Sequence, residues 1–82
     1  MTLTLYSKPG CHLCDEMKAV IRRVMVSTAE AIAIEEIDIT GDPDLEARYG
    51  VEIPVLVADG RKVAKYRITD AELRRVIEGR IG

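Results

Sequence analysis

The chain contains no phenylalanine and no tryptophan, so its core has to be built from Ile, Val, Leu, Met and Ala, with three tyrosines as the only aromatic rings. Positive charge is not in excess either: twelve basic and fourteen acidic residues leave a net charge of −2. Nucleic acid or an anionic membrane surface would favour a concentrated basic patch, so neither is an expected partner. No stretch approaches the roughly 18 apolar residues of a membrane span. Residues Met1 to Tyr6 carry neither a basic leader nor a continuous apolar core, and no signal peptide is expected there. Cysteine is scarce: there are two, where a disulfide scaffold usually has about four to eight. A cytoplasmic, reducing setting is therefore expected, and there a Cys-x-x-Cys pair is more often catalytic or metal-binding than structural. At 82 residues the chain is expected to form one small domain, residues 1–82, burying roughly 60 to 65% of its unfolded surface.

What is present is concentrated in Tyr6-Ser7-Lys8-Pro9-Gly10-Cys11-His12-Leu13-Cys14, where an alternating apolar run stops, a Pro-Gly break follows and both cysteines open a helical pattern. A helix N-terminus leaves amide groups unpaired and carries partial positive charge, so a cysteine placed there is stabilised as the thiolate, the nucleophilic form. At i and i+3, Cys11 and Cys14 share a helix face one turn apart, close enough to close a disulfide and open it again.

Residues 2 to 6 alternate with a period of two and predict a short strand. Leu13, Met17, Val20, Ile21, Val24 and Met25 then fall at helical spacing from about Cys11 to near residue 28. A second strand is expected between Ala31 and Ile39, beginning near Ala33. Asp42 as N-cap, Pro43 at the first helical position and Gly50 as stop define a helix of about two turns. Val51 to Ala58 is expected as a third strand, with Pro54 at an edge, a bulge or a bend because it cannot donate to a ladder. Asp59-Gly60 predicts a hairpin returning through Arg61 to Lys65. Thr69-Asp70-Ala71-Glu72 has capping-box spacing, and Leu73, Val76 and Ile77 give the last helix its apolar stripe before Gly79.

The order strand-helix-strand-helix-strand-strand-helix is an α/β arrangement: a right-handed parallel unit joined to a hairpin makes a four-stranded mixed sheet with helices on its faces. The cysteines fall at the carboxyl end of the first strand, where ligand sites collect in such folds. The chain resembles a glutaredoxin, within the thioredoxin fold, over nearly its whole length. Four features carry the resemblance: Tyr6-Ser7-Lys8-Pro9-Gly10-Cys11-x-x-Cys14, the Asp42-Pro43 helix, Ile53-Pro54 about forty residues after the cysteines, and the Asp59-Gly60 hairpin. The Cys-His-Leu-Cys-Asp version is similar to a branch of small bacterial glutaredoxin-like proteins.

The resemblance implies Cys11 as the attacking thiol, Cys14 as the resolving thiol, Pro54 as a cis-proline opposite the pair, and the Ile53 backbone as a docking edge for substrate. It also implies that Lys8 lies beside the attacking sulfur and helps bind a glutathione carboxylate. Two departures bear on glutathione. Glu52-Ile53-Pro54 stands where glutaredoxins have Thr-Val-Pro, and Arg67-Ile68-Thr69-Asp70 stands where they have a double glycine followed by acidic residues. Thr69, Asp70 and the amides opening the last helix remain candidates for holding a ligand amine and carboxylate.

The expected activity is thiol–disulfide exchange that reduces disulfides of protein or small-molecule substrates. His12 is a candidate proton shuttle or cation beside the thiolate, or else a solvated residue that tunes the site electrostatically. No tightly bound cofactor is expected; the thiol donor is glutathione or a flavoprotein reductase, and the protein is expected to be a monomer. Zinc normally takes four ligands, and Cys11, His12 and Cys14 supply at most three donors within four residues, so no metal site is assigned. Two alternatives remain open. One is a carrier of a metal or an iron–sulfur cluster shared between two chains with glutathione; the other is a thioredoxin-fold binding module that uses the Ile53 edge. Tyr6, Tyr49 and Tyr66 are read as packing residues with wet hydroxyls in preference to substrate platforms.

Overall fold

The computed structural model describes residues 1–29 and 31–79. Seven elements follow in the order β1 (Thr2–Ser7), α1 (His12–Ser27), β2 (Ala33–Asp38), α2 (Pro43–Tyr49), β3 (Val55–Ala58), β4 (Arg61–Lys65) and α3 (Asp70–Glu78). The strands form one mixed sheet in the order β2-β1-β3-β4. β1 runs parallel to β2, with Ser7 opposite Asp38, and antiparallel to β3, with Leu5 opposite Leu56. This is the four-stranded mixed sheet expected from the element order, in the thioredoxin-like arrangement that the resemblance implies.

Period-two alternation sends Leu3, Leu5 and Ser7 of β1 to one face of the sheet, where all three are buried. α1 covers that face with Met17, Ile21 and Val24, and α3 with Leu73, Val76 and Ile77. Leu56 and Ala58 of β3 and Ile68 before α3 join this cluster, each large aliphatic side chain contributing roughly 1.5–3 kcal/mol on burial. The opposite face carries α2: Tyr6, which alternates with Leu5, stacks on Tyr49 with ring centroids 4.4 Å apart. Two aromatic rings here replace the phenylalanines the chain lacks.

Local chemistry sets the boundaries. Asp42 caps α2 by accepting from the Asp44 and Leu45 N–H groups, Pro43 follows, and Gly50 is the C-cap. Thr69 and Glu72 cap α3 reciprocally, and Gly79 ends it in left-handed conformation. Asp59 and Gly60 both have positive φ, the requirement of a type I′ hairpin turn. The third strand is shorter than the sequence predicts. It begins at Val55 instead of Val51, because residues 51–54 turn after α2 and Pro54 offers no N–H to a ladder. β2 stops at Asp38, one residue early, while Ile39 still donates its N–H to the Ser7 carbonyl at 3.0 Å.

Candidate functional site

The loop between β1 and α1 delivers the cysteines. Gly10 takes φ +77°, a conformation that costs glycine nothing, and turns the chain into α1 at Cys11. Cys11 is the N-cap, and its Sγ accepts the Cys14 N–H at 3.1 Å. One of the orphan amides of the helix start is thus aimed at the sulfur, and the same donor would favour a thiolate there. Cys14 lies one turn on, bonded to Cys11 as a disulfide with the Cα atoms 5.2 Å apart. Their exposure differs: Cys11 is half-buried, whereas Cys14 is 1% exposed and belongs to the inward face of α1.

Lys8 and His12 flank this pair along the chain. The Lys8 ammonium lies 3.2 Å from Glu46 on α2, so its charge is already partnered within the chain. His12 is the first residue of α1 and is exposed. Beneath the loop is a polar cluster that the sequence reading missed. Ser7 is 4% exposed and donates its hydroxyl to Glu36 on β2 at 3.1 Å, and the Lys18 ammonium sits 2.9 Å from the same carboxylate. The hydrogen bond from Lys18, joined by that from Ser7, holds the Glu36 carboxyl below its ordinary range. A signal for it was present: in the register Leu3, Leu5, Ser7 a polar residue occupies an inward position, and buried hydroxyls require a partner.

Pro54 is fully buried at the entrance to β3, the Ile53–Pro54 peptide is cis, and Ile53 is half-buried. Glu52 pairs with Lys62 at 2.9 Å and Lys65 at 3.5 Å, both on β4, and the Lys62 bond draws its carboxyl below the ordinary range. Tyr66 also reaches this segment, donating its N–H to the Pro54 carbonyl at 2.8 Å and its hydroxyl to the Val51 carbonyl at 3.1 Å. It is 42% exposed and takes φ +67°.

Thr69 and Asp70 open α3. The Thr69 N–H donates to the Glu72 carboxylate at 2.9 Å, and Asp70 receives two hydrogen bonds from Arg23 of α1, at 2.9 and 3.2 Å. The Arg23 contact lowers the Asp70 carboxyl from its ordinary value. Thr69 lines a groove of about 390 Å³ with Glu16, Arg23, Tyr66, Arg67 and Glu72, and neither cysteine nor Pro54 lines it. The structure brings the two cysteines together, while Thr69 and Asp70 face α1 beyond them. Among the described residues no group of three His, Cys, Asp or Glu side chains could hold a metal ion. Nor, among them, is any helix long and apolar enough to cross a membrane.

The fold recurs in known structures. An X-ray structure of a structural-genomics target, XcR50 from X. campestris, is 31% identical, with a TM-score of 0.79 over 94% of this chain and 96% of that one. Protein Ne2328 from Nitrosomonas europaea is 28% identical, with a TM-score of 0.77 over 93% and 89% of the two chains. A mutant thioredoxin from Halobacterium salinarum NRC-1 is 25% identical, with a TM-score of 0.65 over 95% of this chain and 72% of that one. A bonded Cys-x-x-Cys at the first helix of a thioredoxin fold fits a redox role. Residues 2–78 match the glutaredoxin-like domain (DUF836), and the chain belongs to that family.

Proposed function

We propose that this protein is a thiol–disulfide oxidoreductase that reduces disulfides through Cys11 and Cys14. The observation that carries the reading is the difference between the two sulfurs. Cys11 is half-buried at the helix N-cap and its Sγ receives the Cys14 N–H, whereas Cys14 is enclosed behind it. In the reduced protein the Cys11 thiolate attacks a substrate disulfide and expels one thiolate. Cys14, losing its proton to solvent, attacks Cys11 Sγ and expels the second, which leaves the Cys11–Cys14 disulfide and a reduced substrate. Two electrons have passed to the substrate, and a thiol donor returns them. The Ile53 backbone offers the docking edge that the family resemblance implies. Lys8, Glu52, Thr69 and Asp70 are each engaged within the chain, which supports a donor that reacts at Cys11 without a dedicated glutathione cradle.

The test is to equilibrate the protein with graded reduced and oxidised glutathione, trap free thiols and weigh the products. A single reversible two-electron transition is expected, lost in both Cys11→Ser and Cys14→Ser. Absence of an intramolecular disulfide at every poise would sink the reading.

A further inference from the structure

We propose that Tyr66 is a positioning residue that holds the segment before β3 as a docking edge for polypeptide disulfides. This rests on the oxidoreductase reading and specifies its substrate class. Residues 51–54 lie outside any helix or strand, and α2 holds them by one backbone hydrogen bond, from the Glu52 N–H to the Tyr49 carbonyl at 2.8 Å. Tyr66, at the junction of β4 and α3, ties both ends of the segment: its N–H binds the Pro54 carbonyl and its hydroxyl binds the Val51 carbonyl. Glu52, between those ends, is drawn to β4 by Lys62 and Lys65.

Tyr66 is poorly explained as a packing residue. It is 42% exposed, and it occupies left-handed backbone at φ +67°, where a side chain is disfavoured and glycine is the natural choice. What a tyrosine supplies at that position, and glycine does not, is the hydroxyl contact to Val51. Val51 itself is 88% exposed. Val51, two residues before Ile53, and the Tyr66 ring whose hydroxyl reaches it both expose apolar surface, as suits the flanking residues of a peptide docked there. A small disulfide reacting at Cys11 has no flanking chain to lay along this edge.

The measurement is steady-state reduction of two disulfides, those of insulin and hydroxyethyl disulfide, with dithiothreitol regenerating the reduced protein. In Tyr66→Phe, which deletes one hydrogen bond, KM for insulin is expected to rise about two- to tenfold, the range of one modest hydrogen bond. Hydroxyethyl disulfide kinetics and the Cys11–Cys14 redox equilibrium should be unchanged. Tyr66→Gly, which fits φ +67° freely, should keep or raise the denaturation midpoint yet lose insulin affinity at least as much. Wild-type KM for insulin in both variants, or a parallel loss on both substrates, would overturn the assignment. If the wild-type protein reduced neither disulfide, the oxidoreductase reading itself would fall, which is a distinguishable result.

Discussion

Gly10 and Tyr66 both adopt left-handed backbone, and the cost falls differently on each. Glycine reaches φ +77° freely, and a Cβ built on Gly10 would meet nothing within 4 Å. Replacing it by alanine therefore adds only the backbone penalty, about 1–2 kcal/mol. Urea unfolding of Gly10→Ala should show a lower midpoint with an unchanged slope, since no surface is newly exposed. An unaltered midpoint would mean that the loop before Cys11 can adopt another conformation. The role of Gly10 was legible, because a Pro-Gly break before a helical pattern announces a turn. That of Tyr66 was not. Its contacts are to Val51, 15 residues away, and to Pro54, and nothing in its immediate neighbourhood marks a left-handed position.

At the scale of elements, α3 shows which force dominates. A helix of nine residues is too short to persist alone in water, so it needs both its cap and the core. Thr69→Ala removes half of the reciprocal cap and should cost about 1 kcal/mol. Leu73 is fully buried between α1 and the sheet, and Leu73→Ala should cost about 2–5 kcal/mol through lost burial and the cavity left behind. Chemical denaturation of the two variants ranks the effects; equal losses would mean that α3 depends on capping more than on packing. Both features were readable in the sequence, since capping and helical periodicity are local. The seven elements and their order were legible for the same reason. The early start assigned to β3 was an error of apolar content: Val51 and Ile53 look like strand residues, but Pro54 keeps the ladder from extending back to them. The Ser7–Glu36–Lys18 cluster joins three elements, so neither its hydrogen bond nor its ion pair follows from spacing along the chain, even though Ser7 hinted at a partner.

Across the whole molecule, ion pairs stitch elements distant in sequence. Arg23–Asp70 links α1 to α3, Lys18–Glu36 links α1 to β2, Lys8–Glu46 links the cysteine loop to α2, and Glu52 joins its segment to β4 through Lys62 and Lys65. Each exposed pair contributes little alone, but they respond together to pH and salt. Hydrogen bonding to Lys18, Lys62 and Arg23 lowers the folded-state pKa values of Glu36, Glu52 and Asp70 respectively. A depressed carboxyl contributes stability that is present above its unfolded pKa and lost as pH falls through its folded pKa. The ordinary values are 4.5 for glutamate and 3.8 for aspartate, so the loss should begin near these and continue below them. Lys18 and Lys62 are raised by their bonds to Glu36 and Glu52, and their contribution is present below 10.5 and lost as pH rises through the higher folded values. Urea midpoints of the oxidised protein should therefore be nearly level between about pH 5 and 10 and fall on both sides. Raising salt to about 1 M should flatten the acid branch by screening the pairs. Asp70→Asn should remove part of that branch while leaving the alkaline branch intact, because its partner Arg23 keeps its proton throughout. A midpoint that stayed constant down to about pH 3 at low salt would mean that these contacts form as readily in the unfolded chain and do not hold the elements together.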